Sequence, residues 1–239
     1  MCCYSRLDSK FVEEELIIQE NETLLPFALI NLEEFEHSVT LYLGKEMITE
    51  EDLVRLFEDS NIKTEVLYDS SVIGYNFCRE ILDSKKNFNK RLLVLGAVLT
   101  NLASVQSKLK IIEKCYGFSN NEEIKPEEIQ RLVEDIVEIS VNWLPLAAIS
   151  FETQKYSNRT ISSERLREYK KELFRYKTEF FEFCKYEITK NECIKFTDLE
   201  DLFINTQLGN LFRSFEVRHS LAKFNTNFEE VARFNTFFR

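Results

Sequence analysis

Three residues near the C-terminus carry side chains that could cleave RNA without a metal ion. Arg213, Arg218 and His219 lie in the segment RSFEVRH. Such cleavage needs a base that takes the proton of a 2′-hydroxyl group and a cation that stabilises the charge developing on the phosphate. Histidine, which titrates near neutral pH, suits the first role, and arginine suits the second. The cluster therefore predicts a catalytic site formed by Arg213, Arg218 and His219.

The same segment resembles the motif of the HEPN (higher eukaryotes and prokaryotes nucleotide-binding) superfamily. Its members are all-α domains that often carry an arginine, four to six residues and a histidine near the end of a long helix, and Arg213 and His219 have five residues between them. A second alignment matches Arg218-His219 to the family's frequent Arg-Asn or Arg-His pair. Lys223 then stands where the family has a histidine, which is a departure from the pattern.

The resemblance implies a dimeric protein of a defence, toxin or RNA-processing system whose metal-independent ribonuclease activity is weak or lost. In such proteins the site usually forms across a two-fold dimer interface. Residues six apart on a straight helix point about 120° away from each other. Arg213 and His219 of one chain therefore converge only if the helix breaks or if a second subunit supplies the partner. The alternative is that His219 is a buried histidine of the core or of an interface.

The composition predicts a helical protein and excludes several function classes. The 239 residues include five glycines and three prolines, too few for a many-stranded sandwich or barrel with its frequent tight turns. The glycines are also too scattered to form a phosphate-binding loop. Acidic residues outnumber basic residues by 41 to 31, and an acidic protein repels nucleic acid at long range. DNA is therefore not an expected partner, whereas RNA stays open.

We expect no metal ion and no cofactor. Six cysteines form no CxxC pair and the chain has two histidines, so a structural zinc site is not expected. Three segments resemble calcium-binding loops, but none combines the first ligand carboxylate with the glycine that the turn requires. These segments are Gly44–Asp52, Gly117–Glu128 and Glu187–Asp198.

Cysteine usage and hydropathy also predict where the protein resides. Dispersed cysteines without a signal peptide are typical of a reducing compartment, so we expect a cytoplasmic protein. The two most apolar runs, Leu92–Val105 and Val141–Phe151, are shorter than a membrane-spanning helix. No membrane span is therefore expected.

Helical periodicity predicts an all-α fold, a bundle of roughly eight to ten helices with a C-terminal helical hairpin. Thr49 with Asp52 resembles a capping box, and Pro126 is expected in the first turn of another helix. The run Leu92–Cys115 is predicted as one long helix. The short apolar stretch Val39–Leu43 is compatible with a strand.

The polar stretch Glu152–Ser163 is the best candidate for a boundary. Two organisations stay open. Either an N-terminal helical region, 1–155, with or without a short strand, precedes a C-terminal hairpin region, 156–239, or the chain is one continuous domain. In the hairpin, apolar residues alternate at spacings of three and four, as in the seam of a helix pair; they are Leu166, Tyr169, Leu173, Tyr176, Phe180 and Phe183.

A second hypothesis is a non-enzymatic interaction or adaptor protein. The chain has 21 phenylalanines, and the segment Phe224–Phe238 is too aromatic to stay solvated on a monomer. Either this segment packs on its own domain, or it docks on another chain. In the second case the aromatic-rich surface binds a protein partner or forms a homodimer. Acidic runs such as Glu13–Glu15 are expected on solvent-exposed faces.

Overall fold

The described residues of the computed structural model are mainly helical, which confirms the predicted all-α class. The structure describes residues 11–42, 45–83, 85–118, 123–149, 160–175, 177–190, 195–205 and 207–222. The α-helices are α1 Val12–Glu22, α2 Leu32–Thr40, α3 Glu50–Asp59, α4 Tyr75–Glu80, α5 Lys90–Thr100, α6 Val105–Tyr116, α7 Pro126–Glu138, α8 Ser163–Phe174, α9 Lys177–Lys190 and α10 Phe196–Asn205. A further helix, α11, covers residues 214–222.

Shorter elements connect these helices. The 3₁₀-helical segments are Thr64–Leu67, Leu144–Ala148 and Gln207–Phe212, and a π-helical segment covers Ile139–Trp143. Strands β1 (Met47–Ile48) and β2 (Phe88–Asn89) pair antiparallel, with Met47 opposite Asn89.

Local capping sets the helix starts that the sequence predicts. The backbone N–H of Asp52 donates to the Thr49 hydroxyl at 3.2 Å, immediately before α3. Pro126 is the first residue of α7, where a missing N–H costs no helical hydrogen bond. The apolar residues of α7 at helical spacing are buried, as the periodicity predicts.

Two local predictions are wrong. The run Leu92–Cys115 is divided between α5 and α6, because the extended backbone of Asn101 ends α5. The stretch Val39–Leu43 does not begin as a strand, since residues 39 and 40 form the last turn of α2. Helical hydrogen bonding therefore continues through a β-branched residue, and packing outweighs its weak strand preference.

The C-terminal elements are shorter than a hairpin of two long helices. The predicted apolar seam extends over both α8 and α9, and Leu166, Tyr169, Leu173 and Phe180 are buried. Phe183 is partly exposed, and Tyr176 lies outside the described residues. The last segment of the chain is divided into α10, a 3₁₀ segment and α11.

Buried hydrophobic residues on both sides of residues 150–159 belong to one cluster. Helix α10 packs on α6, and α9 packs on α7. Most of the boundary stretch Glu152–Ser163 and the whole of Phe224–Phe238 lie outside the described residues. None of the described helices is both long enough and apolar enough to cross a bilayer.

Candidate functional site

Three glutamates of α1 are buried, namely Glu14, Glu15 and Glu22. Glu15 and Glu22 are seven residues apart, about two helical turns, so they lie on the same side of α1. Both are buried, which corrects the expectation that the acidic run at Glu13–Glu15 faces solvent. A buried carboxylate is stable only with a cation or hydrogen-bond donors close to it.

Arg218 of α11 is the cation next to these carboxylates. Its side chain is 0% exposed. Its Nη2 donates to Oε1 of Glu15 at 2.9 Å and to Oε2 of Glu22 at 3.1 Å. Its Nε donates to Oε2 of Glu15 at 3.0 Å, and its Nη1 donates to Oε1 of Glu22 at 2.6 Å and to the Ser140 carbonyl at 2.9 Å. All five N–H groups of the guanidinium therefore have acceptors within the chain.

The Ser140 carbonyl is open to Arg218 because of the local helix geometry. Ser140 lies in the π-helical segment, where the N–H of Leu144 donates to the carbonyl of Ile139, five residues earlier. The next donor in that register would be Pro145, which has no N–H. Arg218 thus occupies the position of a missing backbone donor.

Two hydroxyl groups complete the cluster. The phenol of Tyr169 donates to Oε2 of Glu15. The hydroxyl of Ser214 donates to Oε2 of Glu22 at 2.7 Å. The cluster thus links α1, the π-helical segment, α8 and α11. We call it the Arg218 network, and its members are Glu15, Glu22, Ser140, Tyr169, Ser214 and Arg218.

Burial and charge act in opposite directions on the Arg218 network. Removal from water raises the pKa of Glu22, and the charge and hydrogen bonds of Arg218 reverse only part of that rise. Burial disfavours the charge on Arg218, but the carboxylates of Glu15 and Glu22 outweigh it and raise the pKa of the guanidinium well above its ordinary value. Arg218 therefore stays charged and does not exchange a proton near neutral pH.

The other two predicted site residues lie elsewhere on α11. Arg213 is exposed, and its carbonyl accepts from the N–H of Val217, so Arg213 immediately precedes the helix. His219 is half-buried and lies about 120° around the helix from Arg213. Within one chain the structure does not bring Arg213, Arg218 and His219 to one solvent-facing point. Lys223 lies outside the described residues.

A second buried cation lies beside the start of α11. Lys108 of α6 is 1% exposed, and its Nζ donates to the Phe212 carbonyl at 2.7 Å. Burial and, to a smaller extent, the charge of Arg213 together lower the pKa of the Lys108 ammonium to about 7. In the described ranges Lys108 forms no ion pair, so its hydrogen bond holds the backbone before α11 without a compensating carboxylate.

Two leucines are exposed on neighbouring loops. Leu29 is 82% exposed and Leu102 is 80% exposed. The side-chain amide of the buried Asn101 donates to the carbonyls of Ala28 at 3.2 Å and Ile30 at 3.0 Å, the residues on either side of Leu29. These two hydrogen bonds connect the loop that contains Leu29 to the loop that contains Leu102, the residue after Asn101. We call Leu29 and Leu102 the leucine pair.

Two surface grooves flank α2 and α3. The α2 groove has a volume of about 670 Å³ and is lined by Asn31, Glu33, Glu34, His37, Ser38, Leu41 and Asp59. The α3 groove has a volume of about 530 Å³ and is lined by Glu50, Glu51, Val54, Arg55, Glu58 and Tyr68. Acidic side chains line both grooves.

The sequence gives unequal signals for these features. The positions of Glu15 and Glu22 are a usable sequence signal, since their spacing puts two carboxylates on the same side of α1 as the apolar Ile18. Carboxylates buried there require a cation. The leucine pair has no such signal, because its two residues belong to loops that are far apart in the sequence.

Among the described residues, no group of three or more His, Cys, Asp and Glu side chains is placed to hold a metal ion. Comparison of the chain with protein-family models, with curated proteins and with solved structures finds no match.

Proposed function

We propose that this chain is a non-enzymatic helical protein that binds a protein partner, with the leucine pair at the centre of the contact. The exposure of Leu29 and Leu102 carries the proposal. A single exposed leucine is common on protein surfaces. Here the buried Asn101 joins the two loops that carry these leucines, so a partner that covers both side chains has to order little of either loop. Complete burial of each side chain would contribute about 1.5–3 kcal/mol to binding.

The Arg218 network supports a non-enzymatic role. A ribonuclease site needs a cation that reaches a phosphate, whereas Arg218 donates all its N–H groups to acceptors within the chain. Its withdrawal would leave Glu15 and Glu22 buried without their cation, at a cost of about 3–5 kcal/mol. We therefore assign Arg218 a structural role. An HEPN-like ancestry without the activity agrees with this assignment.

A cleavage assay tests the absence of catalysis. Purified chain is incubated with single-stranded RNA without divalent metal, beside the His219→Ala variant. We expect the RNA to stay intact with both proteins. Cleavage by the original chain that disappears in His219→Ala would contradict the proposal and restore the predicted site.

A cross-linking experiment tests the partner contact. A photoreactive amino acid is placed at position 29 or 102 in the cells that produce the protein. We expect both positions to cross-link to the same protein. We also expect that this protein no longer co-purifies with the Leu29→Ser/Leu102→Ser variant. Tyr68→Ser is the matched control, since it removes an exposed apolar side chain elsewhere. An unchanged partner in the leucine variant, or equal loss in the control, would contradict the proposal.

A further inference from the structure

We propose that the leucine pair and the α2 groove together dock a basic amphipathic helix of the partner protein. This inference rests on the proposed function and adds the chemistry of the partner, namely lysine or arginine side chains beside an apolar stripe. It follows from three observations: the short sequence separation between Leu29 and the groove residue Asn31, the groove carboxylates that form no ion pair, and the position of one of these carboxylates.

The leucine pair adjoins the α2 groove. Asn31, at one end of the groove, follows Leu29 by two residues and accepts a hydrogen bond from the Glu33 N–H at 2.9 Å, which fixes the start of α2. The groove ends at Leu41, another exposed leucine. Helix α2 has 9 residues, about 14 Å at 1.5 Å per residue. A partner helix longer than about 9 residues would extend along α2 and past its start, toward the leucine pair.

The chain does not neutralise the carboxylates of the α2 groove. Within the part of the chain that the structure describes, Glu33, Glu34 and Asp59 form no ion pair. The situation differs outside the groove, where Glu36 of the same helix pairs with Lys114 of α6. The groove thus presents negative charge, and a basic partner is its electrostatic complement.

The position of Asp59 points to a ligand rather than to helix stability. Glu33 and Glu34 lie in the first turn of α2, where the helix dipole favours a carboxylate. Asp59 is the last residue of α3, where the dipole disfavours one, and the last turn of α3 has no basic residue. A cation bound in the groove would compensate that unfavourable position.

The α3 groove fits such a partner less well. Its lining includes the cation Arg55. Its carboxylate Glu50 is engaged by the hydroxyl of Tyr68. Among the residues that the structure describes, no pair of exposed leucines on connected loops adjoins it in sequence. This groove therefore serves as an internal control for simple attraction to an acidic surface.

A designed peptide tests the partner chemistry on the full chain. The probe is a fluorescein-labelled helical peptide of about 15 residues, with leucines on one face and lysines on the other. One control peptide has glutamate in place of lysine, and a second has the same composition without the apolar face. Fluorescence anisotropy at low and at physiological salt measures binding. We expect the lysine peptide to bind, to weaken with salt, and to bind at least about tenfold more tightly than either control.

Matched variants locate the site. Glu33→Gln/Glu34→Gln and Glu50→Gln/Glu51→Gln both remove two first-turn carboxylates and change the net charge equally. We expect the α2 variant to weaken peptide binding about fivefold and the α3 variant to leave it nearly unchanged. Equal losses in both variants would mean attraction to net charge alone and would overturn the inference. Circular dichroism confirms that each variant is folded.

The outcomes separate the two proposals. If Leu29→Ser/Leu102→Ser loses the cellular partner but the lysine peptide does not bind the chain, the basic-helix inference fails and the proposed function stands. If the leucine variant keeps the cellular partner, the proposed function fails, and the inference that rests on it fails too.

Discussion

The Nη1 atom of Arg218 lies 2.6 Å from Oε1 of Glu22, although 196 positions separate the two residues in the chain. This ion pair connects the first and the last described helices inside the protein. Because both partners are buried, the association of α11 with the remainder of the fold depends on their mutual neutralisation.

Replacement of Arg218 should therefore destabilise the fold severely. Arg218→Met leaves Glu15 and Glu22 buried without a cation, and we expect a loss of about 3–5 kcal/mol in the free energy of unfolding. Urea denaturation measures this loss. The control, Arg213→Met, changes an exposed residue and should shift the value by less than about 0.5 kcal/mol. Equal effects of the two variants would show that the Arg218 network does not stabilise the protein.

Rescue separates the charge effect from lost packing. Glu15→Gln and Glu22→Gln added to Arg218→Met remove the uncompensated carboxylates, so the triple variant should recover part of the lost stability. A triple variant less stable than Arg218→Met would mean that charge burial is not the cause.

Lys108 should make stability depend on pH. The pKa of its ammonium is about 7 in the fold, against an ordinary value of 10.5. Between these values the unfolded chain holds a proton that the folded chain has released, so stability rises with pH across this window and is flat below it. We expect a rise of about 1.5 kcal/mol from pH 7 to about pH 8.5.

Two variants test whether Lys108 causes this rise in stability with pH. Lys108→Met should remove most of it, whereas Lys110→Met, at an exposed neighbour, should leave it intact. Denaturation midpoints in urea at the two pH values provide the measurement. A rise that persists in Lys108→Met would assign it to another group, such as Lys170, whose pKa burial lowers to about 8.

Gly96→Ala should destabilise the protein although alanine favours helices. Gly96 lies within α5, where alanine alone would add about 1 kcal/mol of stability. An added Cβ would lie 2.3 Å from Cζ of the buried Phe77, and we expect a net loss of about 1–3 kcal/mol. Thermal unfolding measures it, and Phe77→Leu in the same chain should restore part of the loss. A stabilised Gly96→Ala would show that Phe77 moves freely.

Asn101→Ala should reduce both stability and peptide binding. The variant removes the donor to the carbonyls of Ala28 and Ile30 and separates the two loops, at a cost of about 1–3 kcal/mol. Leu102→Ala is the comparison, since it removes apolar contact but not the connection. We expect Leu102→Ala to weaken peptide binding at unchanged stability, as measured by anisotropy and thermal unfolding. Full binding by Asn101→Ala would mean that the loops need no such connection.

The sequence by itself determined the helical class and the local limits of several elements. Capping at Thr49 and the proline start of α7 depend on hydrogen bonds within a few residues, and a periodic pattern of apolar residues defines the buried face of a helix. Both signals depend on neighbouring residues, so they can be recognised in the sequence without the fold. The end of α5 at Asn101 cannot be recognised in this way, because the Asn101 side chain binds the loop before α2.

Only the tertiary structure decided the roles of the charged and apolar residues. Arg218 has the same chemistry as an exposed, phosphate-binding arginine, and its role depends on whether folding brings carboxylates of α1 to it. The loops of Leu29 and Leu102 are neighbours because the Asn101 side chain joins them. Ion pairs and surface neighbours form between distant parts of the chain, and their free energies depend on burial, which a single sequence does not specify.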